Sequence, residues 1–204
     1  MLRTGDLVLF SSRGLFDYVI RFFTRSIFTH VGMVLVDPPF GVPRGTYLWE
    51  SGFEPVPDPQ DGLLKLGVRL TPIGSVDVSC ASRSRVYVRA CLRSVADEDL
   101  EAIHRDVYRK PYDLCARDWL LGIAHVDAKP QKTDRFWCSA FVSYVLSRLG
   151  MLPEAADWSV ARPCDLSSTA TAAPWTAIDA AYAPDRLVTS LVAVVKEVPN
   201  SAVV

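Results

Sequence analysis

The chain has 204 residues, of which 50% are hydrophobic, and its formal net charge is -1. This length and composition predict one globular domain with a sizeable core, here over residues 1–198, followed by a loose tail at 199–204. Charges of both signs are interspersed along the chain. Because nucleic-acid binding requires a basic surface, we expect no nucleic-acid partner.

The cysteines and the N-terminus indicate a compartment. The start of the chain, MLRTGDLVLFSS, lacks the long apolar core and the cleavage site of a secretory signal peptide. No apolar run reaches the ~18 residues that a membrane span needs. The five cysteines form no C-x-x-C pair or other close Cys/His pair of the kind found in zinc sites. We therefore expect a cytoplasmic protein with reduced thiols, no metal or other cofactor and no stable membrane insertion.

The first half of the chain predicts mainly strands. Short apolar or alternating runs bounded by Gly, Pro or Asp are typical of strands, and they occur at 5–10, 29–37, 46–52, 67–74 and 84–92. The Pro- and Gly-rich segment after residue 37 indicates a turn, and therefore a hairpin. Residues 14–23 predict a helix with one apolar face. This helix either packs on the core or, with arginines beside it, lies on a membrane surface.

Helices are predicted in the second half of the chain. They cover residues 97–110, 112–126 and 135–150. Thr133 or Asp134 is the expected N-cap of the last of these helices, and Gly150 is its expected C-cap. Residues 153–185 are rich in Ala, Pro and Ser and predict irregular structure, whereas 186–198 predict a final strand. This order of elements predicts an α+β fold with a mostly antiparallel sheet.

Cys138 lies near the start of the 135–150 helix, in the stretch FWCSAFV. A helix N-terminus favours a thiolate through the helix dipole, and the thiolate is the nucleophilic form of cysteine. The other four cysteines fall in or beside predicted strands, inside a helix or in a loop. Cys138 is therefore the candidate nucleophile, and the alternative is a small apolar residue of the core.

A catalytic cysteine needs a base, and the chain has three histidines. His104 falls among charged residues of a predicted helix, whereas His125 precedes a polar loop and is the second choice. His30 opens the strand-like run HVGMVLV, where a rigid strand end can hold an imidazole. We therefore take His30 as the candidate base.

Glu50 is the candidate third member, because a carboxylate in an apolar strand needs a partner when it is buried. If Asp37 pairs with Thr46 in the hairpin, Glu50 lies three positions away from His30. A slightly asymmetric loop or one bulge would bring it within one rung of the imidazole. Together, Cys138, His30 and Glu50 predict acyl transfer: the thiolate attacks a carbonyl, His30 moves the proton, and Glu50 orients the ring. The backbone N–H of Cys138 is expected to donate to the oxyanion.

Six stretches of the chain, in this order, resemble the permuted branch of the NlpC/P60 superfamily. They are TGDLVLF, FTHVGMVL, WESG, RKPYDL, FWCSAFVSYVL and ARPCDLSS. The resemblance is greatest to the YiiX/YebB-like group of papain-like thiol hydrolases, which occurs in bacteria and large DNA viruses. The blocks run from Gly5 to about Ser168, and the histidine block precedes the cysteine block as in the permuted members.

The resemblance implies a papain-like core, in which the helix with the nucleophile packs on an antiparallel sheet with the base. It implies Cys138 as nucleophile, His30 as base and Glu50 as orienting acid, with Tyr112 and Thr29 lining the substrate cleft. The implied function is an amidase- or peptidase-like cysteine hydrolase acting on a peptide- or lipid-like acyl substrate.

Two other functions remain open. One is a lipid-directed acyltransferase or thioesterase. The lecithin:retinol acyltransferase-like proteins, which also place His before Cys, carry an NCEHF-type block and a second His, whereas this chain has WCSAF and Glu50. The other is a catalytically inactive relative that binds a peptide or lipid in the same cleft.

Overall fold

The computed structural model describes residues 1–12, 21, 26–80, 84–113 and 133–196. The predicted helix at 14–23 lies outside these residues except for Arg21. The predicted helix at 112–126 lies outside them except for its first two positions, and the tail at 199–204 lies outside them entirely. These three predictions, and the domain boundary at 198, therefore stay predictions.

Six strands form one antiparallel sheet with the strand order β4-β3-β2-β1-β5-β6. They are β1 (Leu7–Ser12), β2 (His30–Val36), β3 (Thr46–Gly52), β4 (Gly67–Pro72), β5 (Ser84–Arg89) and β6 (Arg186–Val188). The first five match the predicted strands. The sheet and the helices that flank it confirm the predicted α+β class.

In the described residues, four α-helices accompany the sheet: α1 (Ile73–Cys80), α2 (Asp97–Val107), α3 (Cys138–Arg148) and α4 (Leu191–Lys196). Short 3-10 helices lie at Trp158–Val160, Pro163–Leu166 and Trp175–Ala180, within the segment predicted to be irregular. None of the helices in the described residues is both long and apolar enough to cross a bilayer.

Alternation along the strands sends side chains to two faces of the sheet, and each face has its own core. Met33 and Trp49 belong to the core that also contains Phe141 of α3. Val34 and Leu48 belong to the second core, with side chains of α1 and α4. Helices therefore cover both faces of the central strands.

The C-terminal part of the chain differs from the sequence prediction. The strand predicted over 186–198 stops at Val188 and is followed by α4. Earlier in the chain, α1 was not predicted either. The run LVAVVK of α4 is rich in β-branched residues, but such propensities amount to only ~1 kcal/mol or less per residue. Burial of Leu191 and Val194 in the second core outweighs them.

The start of α3 also differs from the prediction. The helix begins at Cys138, and its N-cap is Trp137 rather than Thr133 or Asp134. The preceding residues are held in an extended form because the N–H of Phe136 donates to the carbonyl of Pro111. Gly150 follows the helix with φ of 64°, a left-handed conformation that suits its predicted role at the C-terminal end.

The predicted hairpin of β2 and β3 is present, but the assumed pairing is wrong by one residue. Val36, rather than Asp37, pairs with Thr46. Continuation of this register places Gly52 opposite His30, with Glu50 two positions away on the same face. His30 and Glu50 are therefore diagonal neighbours on adjacent strands, and no bulge is needed to bring them together.

Candidate active site

Cys138 is the first residue of α3, and only 6% of its surface is exposed. The N-cap residue, Trp137, provides no side-chain acceptor for the first turn. The free N–H groups of a first turn and the helix dipole both favour negative charge at this end of the helix. This position suits a thiolate, and it suits an oxyanion that forms on a substrate bound there.

Three hydrogen bonds fix the chain on either side of the thiol. Ser51 of β3 donates from Oγ to the carbonyl of Phe136 at 2.6 Å. Trp137 and Ser139, which flank Cys138, both donate to the carbonyl of Ala161, at 3.2 and 2.6 Å. The start of α3 is thereby fastened to the sheet and to the segment between two 3-10 helices. None of these three donors was predicted from the sequence.

His30 and Glu50 are in direct contact. The imidazole Nε2 lies 2.6 Å from Oε2 of Glu50, and the side chains are 27% and 3% exposed, respectively. Phe10 packs beside the imidazole, with ring centroids 5.5 Å apart. A Cβ added at Gly52 would lie 3.2 Å from Cε1 of His30 and 3.5 Å from Oε2 of Glu50. The absence of a side chain at position 52 therefore leaves the space in which the two groups meet.

His30 also interacts with Cys138. Burial disfavours the imidazolium, but the negative charge of Cys138, a hydrogen bond to Cys138 and the contact with Glu50 together raise the pKa of His30 well above 6.5. Because Glu50 occupies Nε2, Nδ1 is the ring nitrogen left for the sulfur. The structure thus brings the three predicted catalytic residues close to one another: Glu50 contacts the imidazole, and Cys138 is near enough to raise its pKa.

The second oxygen of Glu50 is held by a residue that the sequence analysis missed. Thr71 of β4 donates from Oγ1 to Oε1 of Glu50 at 2.6 Å. Arg69, directly opposite Glu50 in the β3–β4 pairing, donates from Nε to Thr71 at 3.1 Å. An arginine and a threonine two positions apart in one predicted strand share a face. Two polar side chains with this spacing in a predicted strand were the pattern in the sequence that could have indicated a buried carboxylate on the same face.

Tyr112 lies close to the thiol. Burial, the charge of Cys138 and the charge of Asp113 all raise the pKa of its phenol. Its backbone N–H donates to the carbonyl of Leu66, and it forms a bridge with Phe136, two residues before Cys138. Tyr112 is therefore a neighbour of the nucleophile, and its contact with substrate remains a prediction.

Thr29 fastens the start of β2 to β1. Its side chain is buried, its hydroxyl donates to the carbonyl of Phe10, and it accepts from the N–H of Ser12. A contact between Thr29 and substrate remains a prediction.

The other histidines do not provide a competing base among the described residues. His104 stacks on Phe40 with ring centroids 4.0 Å apart, and burial lowers its pKa to about 4. It is an uncharged, partly buried residue of α2 at neutral pH. His125 lies outside the described residues. Nor does the described part of the chain contain a group of three or more His, Cys, Asp or Glu side chains that could hold a metal ion.

Comparison with known proteins adds little to this geometry. The chain matches no protein-family profile and no curated protein. One similar solved structure is that of the metalloprotein YiiX from Escherichia coli O157:H7, described as DUF1105. It is 17% identical, with a TM-score of 0.49, and the match covers 93% of this chain and 97% of that chain. A likeness at this level carries no conclusion about chemistry.

Proposed function

We propose that this protein is a cysteine-dependent hydrolase that cleaves an amide or acyl bond through a Cys138-His30-Glu50 triad. We further propose that its fold is the papain-like fold of the permuted NlpC/P60 proteins. The observation that carries the proposal is the placement of His30, which contacts Glu50 through Nε2 and interacts with Cys138 at the start of α3. A nucleophile, a base and a group that orients the base are the three parts of such a site.

The first half of the proposed reaction forms an acyl enzyme. The Cys138 thiolate attacks the carbonyl carbon, a C–S bond forms, and the carbonyl oxygen becomes an oxyanion beside the backbone N–H of Cys138. When the oxyanion collapses, the bond to the leaving nitrogen, oxygen or sulfur breaks. His30 gives its proton to that leaving atom, and Glu50 steadies the ring throughout.

The second half returns the enzyme to its starting state. Neutral His30 removes a proton from water as the water oxygen attacks the thioester carbonyl. The C–S bond then breaks, the carboxylic acid leaves, and the thiolate again faces the imidazolium. The raised pKa of His30 favours this ion pair in the resting site.

A second candidate, a lipid-directed thioesterase or acyltransferase, is favoured by the loop that connects β3 and β4. Phe53, Leu63, Leu64 and Leu66 are each more than 40% exposed. The loop starts one residue after Gly52, which borders His30, and the carbonyl of Leu66 accepts from Tyr112. Exposed apolar side chains in a loop whose two ends adjoin residues of the candidate site favour an apolar acyl group, since burying them against such a group is favourable.

The experiment compares wild type with Cys138→Ala, His30→Ala and the matched control Cys164→Ala. Purified proteins are incubated with short-chain and long-chain acyl esters, acyl thioesters and peptide amides, and turnover and the mass of the protein are recorded. We expect an acyl adduct on Cys138, loss of turnover in the first two variants and unchanged turnover in the control.

Two results would count against hydrolysis. Turnover that survives Cys138→Ala would exclude this nucleophile. Equal labelling of Cys91, Cys138 and Cys164 by iodoacetamide at neutral pH would show that Cys138 is not activated. Binding of a peptide or lipid without any acyl adduct would instead favour the catalytically inactive relative. Preference for long-chain thioesters over peptide amides would select the second candidate.

A further inference from the structure

The Glu50 carboxylate has a defined partner on each oxygen. Oε2 faces His30 at 2.6 Å, and Oε1 accepts from the Thr71 hydroxyl at 2.6 Å. Both Glu50 and Thr71 are almost fully buried. A carboxylate with a hydrogen-bond partner at both oxygens is held in one orientation, and that orientation fixes the orientation of the imidazole.

The direction of the Thr71 hydrogen bond is set by Arg69. The guanidinium is fully buried, and its Nε donates to Thr71 Oγ1 at 3.1 Å. Arginine can only donate, so Thr71 must accept from it and has its own proton free for Glu50. Thr71 is therefore a donor to the carboxylate, and the hydrogen bond is strengthened by the negative charge of its acceptor.

Arg69 is itself held in place by the β3–β4 loop. Its Nη1 donates to the carbonyls of Glu54 and Lys65, at 2.9 and 3.4 Å, and its Nη2 donates to the carbonyl of Val56 at 2.6 Å. Because Nη1 and Nη2 are both hydrogen-bonded to the loop, the guanidinium is held in one orientation, in which Nε donates to Thr71. The hydrogen bonds run without interruption from the loop through Arg69, Thr71 and Glu50 to His30.

We propose that Thr71, aligned by Arg69, is a positioning residue that holds the Glu50 carboxylate against His30. The inference rests on the proposed function, because it assigns Thr71 and Arg69 a part in the same triad. Neither side chain touches the reacting atoms. Thr71 acts through Glu50, and Arg69 acts through Thr71.

The test uses the titration of His30 and the reactivity of Cys138, since neither needs a known substrate. Thr71→Val removes the hydroxyl at nearly constant shape, and Thr71→Ser keeps it. Ser143→Ala is the matched control: this buried Ser lies on α3, and its hydroxyl has no hydrogen-bond partner among the described residues. The pKa of His30 is measured by NMR of labelled imidazoles, and the rate of Cys138 alkylation by iodoacetamide is measured by mass spectrometry.

We expect Thr71→Val to lower the pKa of His30 and to slow alkylation of Cys138 at neutral pH by about tenfold, the factor that follows from one unit of pKa. Thr71→Ser should retain most of both wild-type values, and Ser143→Ala should change neither. A folded Thr71→Val variant with wild-type titration and alkylation would overturn the proposal. If Thr71 had only a structural role, Thr71→Val would lower the free energy of unfolding. It would leave the pKa of His30 and the alkylation rate of Cys138 unchanged.

A second pair of variants tests the inference if Thr71→Val does not fold. Thr71→Ala removes the hydroxyl without adding an apolar methyl group to its place, and it is compared in the wild-type and Glu50→Gln backgrounds. An effect on His30 that disappears in Glu50→Gln supports action through Glu50, and an equal effect in both backgrounds refutes it. Failure of the hydrolase proposal is separate: it would show as absent turnover while these titrations behave as expected.

Discussion

Replacement of Glu50 by Gln removes the negative charge and keeps the shape of the side chain. In the wild type, the carboxylate accepts from Thr71 at one oxygen and meets His30 Nε2 at the other. Because Arg69 makes Thr71 a donor toward position 50, the amide oxygen of the substituted side chain should turn toward Thr71. The amide NH2 then points at Nε2 of His30, which must become an acceptor and carry its proton on Nδ1.

The size of the effect follows from the burial of this pair. A hydrogen bond to a charged group contributes about 1.5–3 kcal/mol, and the Glu50 side chain is only 3% exposed, so solvent screens the bond weakly. At 1.36 kcal/mol per pKa unit, the loss corresponds to a fall of about one to two units in the pKa of His30. The altered tautomer adds to this loss, because neutral His30 then has no free nitrogen to accept a proton at the Cys138 side. We expect turnover to fall by at least about a hundredfold, as in other triads that lose the charge of the third member.

The assay follows the pKa of His30 by NMR and the alkylation rate of Cys138 between acidic and alkaline pH. Glu101→Gln, at an exposed position of α2, makes the same charge change far from the triad and should behave as wild type. This role of the Glu50 charge is refuted if Glu50→Gln folds as wild type does and yet keeps the raised pKa of His30. It is also refuted if alkylation of Cys138 at neutral pH is unchanged.

Three further outcomes are expected. Gly52→Ala should reduce turnover while the protein stays folded, because its Cβ would lie 3.2 Å from the His30 ring, and Gly74→Ala, which meets nothing within 4 Å, is the control. The pKa of His30 is raised above 6.5 in the fold, so its stabilisation is complete below that value and is lost as pH rises through the folded pKa. In urea unfolding, the advantage of wild type over His30→Gln should therefore shrink as pH rises above about 6.5 and through the folded pKa of His30; a constant advantage would refute this. Leu191→Ala should lower the free energy of unfolding by about 2–5 kcal/mol, measured in the same way, without changing Cys138 alkylation, because this fully buried side chain belongs to the second core.

Much of the fold could be read from local patterns. Five of the six strands and the helix that carries Cys138 have a strong period or clear boundaries, and such elements depend mainly on nearby residues. The errors lie where packing outweighs local preference. The Val-rich run of α4 is helical because its apolar side chains cover one face of the sheet, and α3 starts only at Cys138 because backbone bonds keep Phe136 extended.

The candidate site shows the same division. Residue type and chain order were enough to select Cys138, His30 and Glu50, and the contact between His30 and Glu50 is present in the structure. The assumed pairing of Asp37 with Thr46 was wrong by one residue, and this matters because a change of one residue in strand pairing reverses the face to which every side chain points. The family resemblance implied Thr29 as a cleft residue; the structure adds that its hydroxyl is bonded to β1, which the sequence did not indicate.

The sequence by itself determined which groups make up the candidate site: a thiol at a helix start, an imidazole at a strand start and a carboxylate in the neighbouring strand. The tertiary structure alone decided how they meet. The register of β2 with β3 put His30 and Glu50 on one face, and the pairing of β3 with β4 placed Thr71 against Glu50. Registers of this kind depend on burying both faces of the whole sheet at once, and no local stretch of sequence contains that information.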